Sequence, residues 1–169
     1  MSGLQWHLAQ VNIGRPRGAM TDAVMQGFVS RLVEINALAD QSAGFVWRLQ
    51  TEDGDATAVR PYPDQADILI NMSLWEDLDS LRDYVFRSMH ASVMRQRRDW
   101  FERFEGVYAA LWWVPAGHRP TVAEAVNRLA HLEARGPTPF AFSFAQPFDP
   151  EGRAVTRERA TRDDACPAT

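Results

Sequence analysis

Trp112-Trp113-Val114-Pro115-Ala116-Gly117-His118-Arg119-Pro120-Thr121 is the stretch on which the reading of the fold turns. Side chains alternate along an extended chain, so two adjacent tryptophans in a strand point to opposite faces of its sheet. Each is too large to leave in water cheaply, which predicts a sheet covered on both sides. A partner subunit is the leading candidate for the second cover. The appended C-terminal segment folding back over the open face is its rival. The stretch ends in a Pro/Gly turn that presents His118 and Arg119 just ahead of a new helix.

Around that stretch the composition bounds the protein class. A chain of 169 residues suits one domain able to bury most of its apolar surface. Hydrophobic residues make up 46%, with six Trp and nine Phe, which fits a large core or interface. A net charge of −4 argues against nucleic acid as a partner, because that binding rests on phosphate neutralisation. All the basic residues are Arg, which reads as codon habit more than as anion binding. Cys166 is the single cysteine, so neither a disulfide framework nor a Cys-based metal site is expected. No apolar run reaches signal-peptide or membrane-span length, and a cytoplasmic protein is the expectation.

Periodicity supplies the elements. Trp6 to Ile13 reads as a first strand, followed by a helix from Thr21 or Asp22 to about Asp40. That helix carries an apolar stripe through Met25, Phe28, Val29, Leu32, Ile35 and Ala39. Phe45 to Leu49 is a second strand, residues 51–66 a polar loop or flap, and Asp67 to Trp75 a third strand. A helical region spans roughly 77–104, broken near Ser88-Met89-His90, and Tyr108 to Val114 is a fourth strand. Thr121 and Glu124 form a capping box for a last helix. Phe140-Ala141-Phe142-Ser143-Phe144 alternates as an added edge strand, and from Asp149 onward a charged tail is expected to be disordered. The order βαββαβ predicts an α+β, ferredoxin-like antiparallel sheet with an appended helix and strand, residues 1–148 forming one domain and 149–169 the tail. Apolar residues on both faces of the third and fourth strands favour sheet-on-sheet homodimerisation into an α/β barrel.

Three motifs, Gly44 to Leu49 (Gly-Phe-Val-Trp-Arg-Leu), Ser73 to Glu76 (Ser-x-Trp-Glu) and Trp112 to Thr121, resemble the hallmarks of a bacterial family defined as a domain of unknown function. The resemblance covers about residues 5 to 148 and imports no activity of its own. One level up, that family looks like a member of the dimeric α/β-barrel superfamily of antibiotic-biosynthesis monooxygenases and haem-degrading relatives. In the superfamily's cofactor-free monooxygenases an Asn on a strand and a Trp four residues later line a pocket between sheet and helices. Asn71 and Trp75 reproduce that spacing. Haem-degrading members place a His after that Trp. Here His90 lies further along and Tyr84 stands nearer the expected place, which weighs against haem chemistry.

The residues themselves suggest roles. Asn71, read as a buried amide, must find a partner, either a neighbouring loop or a substrate oxygen. His90, at a helix start where the dipole disfavours imidazolium, is a candidate neutral base or a cap on the helix break. Trp75 and Trp113 are candidate pocket walls. Arg48 is a lone charge in an apolar strand, fit to hold an anionic ligand or an interface ion pair. His118 sits in a stiff turn, as a site group or as a junction bond, while His7 reads as structural or at an interface and His131 as solvated. Arg95, Arg97, Arg98 and Arg103 read as a solvated helix face. No phosphate loop, metal pattern or nucleophile elbow is present in the sequence. These features predict a small-molecule enzyme with a hydrophobic, aromatic or polyketide-like substrate and cofactor-free monooxygenase or proton-transfer chemistry. The alternatives are a non-catalytic ligand-binding or structural dimer, and a haem-binding protein.

Overall fold

Alternating apolar residues place four strands where the sequence predicts them: β1 (Trp6–Gly14), β2 (Phe45–Arg48), β3 (Leu69–Trp75) and β4 (Ala109–Pro115). The computed structural model describes residues 3–88 and 90–156, without the side chains of His90 and Ala91. The strands form one sheet in the order β2-β3-β1-β4, every neighbouring pair antiparallel. With α1 (Gln26–Gln41) between β1 and β2, and α2 (Leu78–Arg87), α3 (His90–Arg95) and α4 (Arg97–Trp100) between β3 and β4, this is the ferredoxin-like arrangement. The appended helix is α5 (Val122–Arg135). Among the described residues no helix is long and apolar enough to cross a membrane.

Local chemistry sets the junctions. Gly44 turns the chain from α1 into β2 at φ 76°, a conformation that costs glycine little. The Asp77 carboxylate caps α2 by accepting from the Ser80 amide at 2.7 Å. The Thr121 hydroxyl caps α5 by accepting from the Glu124 amide at 3.1 Å. The capping box is only half realised, because the Glu124 carboxylate reaches to Trp112 and His118 instead.

The register divides the sheet into two faces. On one, Leu8, Gln10 and Asn12 lie beside Trp75, Ser73 and Asn71 of β3 and beside Trp113, Leu111 and Ala109 of β4. On the other, Ala9 and Val11 lie beside Leu74 and Met72, and beside Trp112 and Ala110. This second face is covered within the chain. Ala125, Leu129 and Leu132 of α5 pack on it, joined by Val59 and Tyr62 from the β2–β3 connection. Trp112 is 0% exposed and Met72 1%. Burying a leucine such as Leu129 or Leu132 contributes about 1.5–3 kcal/mol, so α5 is a substantial cover. The premise for a barrel closed between two subunits, an apolar face left open, is thereby corrected: the rival reading, in which the appended segment folds back, describes the molecule.

Three further expectations change. Phe140–Phe144 is not a strand: Phe142 alone bridges Leu111, through paired backbone bonds of 2.8 and 2.9 Å, between turns at Thr138–Ala141 and Ser143–Gln146. Those turns carry the chain around the β4 edge, from α5 on one face to α2 on the other. There Phe144 meets Phe86 edge-on, with ring centroids 5.3 Å apart. The helix expected to reach Phe104 ends at Trp100, because Phe101 turns extended and bridges Pro16. The part of the expected tail that is described, residues 149–156, is hydrogen-bonded. Asp149 accepts from the Arg153 amide at 2.8 Å and Val155 donates to the Pro147 carbonyl at 2.9 Å, while residues 157–169 lie outside the described residues.

Candidate functional site

On the first face, α1 stands off the sheet. Of its residues only Ala39 is buried, although the stripe Phe28, Leu32 and Ile35 faces inward. Between that stripe, β1, β3 and the pair α3–α4 lies an open cleft with a cavity of about 130 Å³. Leu69, Val93, Met94, Trp100 and Phe101 complete its apolar walls. The polar groups are Asn12 and Asn71 from the sheet, Asn36 from α1, Arg48, Asp55 and Thr57 beside the β2–β3 connection, and Arg97. An apolar pocket with a few convergent polar groups is the usual form of a small-molecule site.

Asn71 is exposed rather than buried and faces this cleft. Its Oδ1 accepts from Gln10 Nε2 at 3.1 Å, which leaves the two Nδ2 hydrogens as the donors available to a ligand. Gln10 Nε2 also lies 3.2 Å from Ser73 Oγ, and Ser73 in turn accepts from the Trp75 indole at 2.8 Å. The amide is therefore held by a chain of hydrogen bonds anchored in the core. Trp75 lies in that core, fully buried, stacked on Tyr84 at 4.9 Å and edge-on to Phe45 at 5.5 Å, and is not part of the cleft wall.

The other sequence candidates disperse. The Tyr84 hydroxyl donates to the Ile35 carbonyl at 3.4 Å behind the cleft, and burial pushes its pKa up. Trp113 is half-buried and packs against the cluster that holds Phe142, away from the cleft, its indole donating to the Phe148 carbonyl at 2.7 Å. His118 lies on the far side of the sheet, exposed, 2.8 Å from Glu124 Oε2. Burial alone would push the Glu124 carboxyl up. Hydrogen bonds from His118 and the Trp112 indole, with the charges of His118 and Arg128, bring it below the usual range. That arrangement closes the strand–helix junction and does not fit His118 as a haem-iron ligand. His131 is half-buried and bonded to Thr138 Oγ1 at 2.9 Å, not solvated. His90 opens α3; its side chain lies outside the described residues.

Arg48 does reach the cleft, already engaged. Its guanidinium meets Asp40 at 2.8 and 3.4 Å and donates to the Gly54 carbonyl at 2.8 Å, pinning residues 54–57 against α1. Arg97, read from sequence as solvated, turns inward: it donates to the Ile13 carbonyl at 3.0 Å, its guanidinium 5.0 Å from the Phe101 ring and 5.3 Å from the Tyr108 ring. Among the described residues no group of three or more His, Cys, Asp or Glu could hold a metal ion.

Sequence reasoning missed Asn12 and Asn36. The signals were present: Asn36 interrupts the α1 stripe one residue after Ile35, and Gln10-x-Asn12 repeats the polar period-two pattern of Asn71-x-Ser73. Antiparallel pairing sets Asn12 opposite Asn71.

Comparison with known proteins gives distant shapes and one sequence family. SnoaB, a cofactor-independent oxygenase from Streptomyces nogalater, aligns over 69% of this chain and 97% of its own, with 16% identity and a TM-score of 0.42. The NE2512 protein of unknown function from Nitrosomonas europaea aligns over 70% and 97%, with 10% identity and a TM-score of 0.43. No curated protein sequence matches the chain. The family model described as a domain of unknown function, DUF3291, matches residues 7–158, from β1 past α5, and the chain belongs to that family.

Proposed function

We propose that the cleft between α1 and the sheet binds a small, mainly apolar molecule and carries out a proton-transfer or cofactor-free oxygenation step on it. The observation that supports this is the half-buried stripe of α1, held open above a sheet amide whose carbonyl is occupied and whose N–H groups are not. Such a donor stabilises negative charge on a substrate oxygen as a phenol or activated ketone loses a proton. His90, the first residue of α3, is the base in this reading.

The test is turnover and oxygen uptake with a panel of phenols and activated cyclic ketones. His90→Ala lowers kcat by about 10²–10⁴-fold if His90 is the base. Asn71→Ala lowers kcat/KM, and Leu32→Arg, which fills the cleft, abolishes binding. Saturable binding without turnover would make the protein a ligand-binding module. No binding at all would overturn the proposal.

A further inference from the structure

We infer that Gln10, which lies off the cleft wall, is a positioning residue that decides which end of the Asn71 amide a bound molecule meets. This rests on the proposed binding role of the cleft and adds a residue that acts there only through Asn71. Four polar side chains form a block on the cleft face of the sheet, Gln10 and Asn12 on β1 beside Ser73 and Asn71 on β3. Their β4 neighbours, Leu111 and Ala109, bring no polar side chain to it. Asn12 is the register partner of Asn71, yet it makes no side-chain hydrogen bond among the described residues. The longer Gln10 reaches across the diagonal instead. Its Nε2 lies 3.1 Å from Asn71 Oδ1 and 3.2 Å from Ser73 Oγ.

The direction of these bonds carries the inference. An indole can only donate, so Ser73 Oγ accepts from Trp75 at 2.8 Å. The two hydrogens on Gln10 Nε2 then match the two oxygens in front of them, Asn71 Oδ1 and Ser73 Oγ. The donor and acceptor ends of an amide are almost equal in size, so packing does not tell them apart, least of all for the exposed Asn71. A neighbour that presents donors does. With its oxygen held by Gln10, Asn71 turns its Nδ2 hydrogens to the cleft. A carboxylate at position 10 reverses the sense, because it only accepts. It takes a hydrogen from Asn71 Nδ2 and another from the Ser73 hydroxyl, which keeps its bond to Trp75. Asn71 Oδ1 then faces the cleft, and the block loses no hydrogen bond.

Gln10→Glu and Gln10→Met test this on the full chain at pH 7, the second variant keeping the length of the side chain without its donor. One readout needs no ligand: the side-chain amide of Asn71, followed by nitrogen-resolved NMR. Gln10→Glu is expected to move one of its protons downfield and to slow the exchange of that proton with water. The other readout is the affinity, by calorimetry, for cyclohexanone against methylenecyclohexane, a molecule of the same shape without the oxygen. The preference for the ketone is expected to fall about fivefold in Gln10→Glu and by less in Gln10→Met, with the hydrocarbon unchanged in both. If both probes weaken alike, Gln10 is merely structural and the inference is overturned. An Asn71 amide signal that is the same in all three proteins overturns it as well. If the signal changes as expected but neither probe binds the unaltered chain, the binding role of the cleft falls, and with it the part of Gln10 in binding, while its hold on Asn71 stands.

Discussion

Ser73 is the buried polar side chain of the sheet, 6% exposed, and its hydroxyl accepts from the Trp75 indole while Gln10 approaches it from the cleft side. Ser73→Ala leaves the fully buried indole N–H without its acceptor. The expected destabilisation is about 1–3 kcal/mol, read from chemical denaturation. It should also loosen Asn71 and weaken ligand binding, although residue 73 touches no ligand. Glu124 carries the pH dependence. Its folded carboxyl titrates below its unfolded value, so as pH falls the unfolded chain takes up the proton first. The stabilisation is present above the ordinary Glu range and is lost as pH drops through the lower folded value. Glu124→Gln is expected to flatten that part of the acid limb in a stability-versus-pH series, and an unchanged limb would place the titration elsewhere. Sequence showed the Thr121 cap but not this cluster, because His118, Trp112 and Arg128 converge on Glu124 only after β4 and α5 pack.

At the scale of elements, junction chemistry was legible and element ends were not. Gly44 was visible as a breaker, and the structure supplies the reason it cannot be replaced. Besides its positive φ, an added Cβ would overlap the Ser80 hydroxyl at the start of α2. Gly44→Ala is expected to cost more than about 1 kcal/mol, measured as a lower melting temperature with an unchanged spectrum at 25 °C. Alternation marked Phe140–Phe144 as extended, yet tight turns on both sides leave Phe142 as the one residue among them bridged to the sheet. The α1 stripe was read correctly as facing inward. What it faces, a cleft rather than a filled core, depends on the distance between α1 and the sheet. That distance is set by Trp100, which packs against Phe28 at 5.9 Å and approaches the backbone of Gly27.

For the whole molecule, the sheet separates two differently packed faces. The face under α5 is packed and structural; the face under α1 holds the cleft. Leu129→Ala on α5 is expected to destabilise by about 2–5 kcal/mol while leaving cleft affinity within twofold, because distant sites act independently. Coupled losses of stability and affinity in the still-folded variant would show that the two faces communicate.

The sequence alone determined the order of the four sheet strands, the ferredoxin-like class, the Thr121 cap and the family, because these are written in local periodicity, turn residues and motif spacing. The Thr21 or Asp22 cap expected for α1 is not made, since α1 starts at Gln26 after Met25. It also established that both sheet faces carry apolar groups. Which part of the chain covers the second face, which tryptophans are core rather than cleft, and that Asn12, Asn36 and Asn71 share one cavity were decided only by tertiary structure. Periodicity reports which side of an element avoids water. What meets that side depends on contacts between residues far apart in the chain.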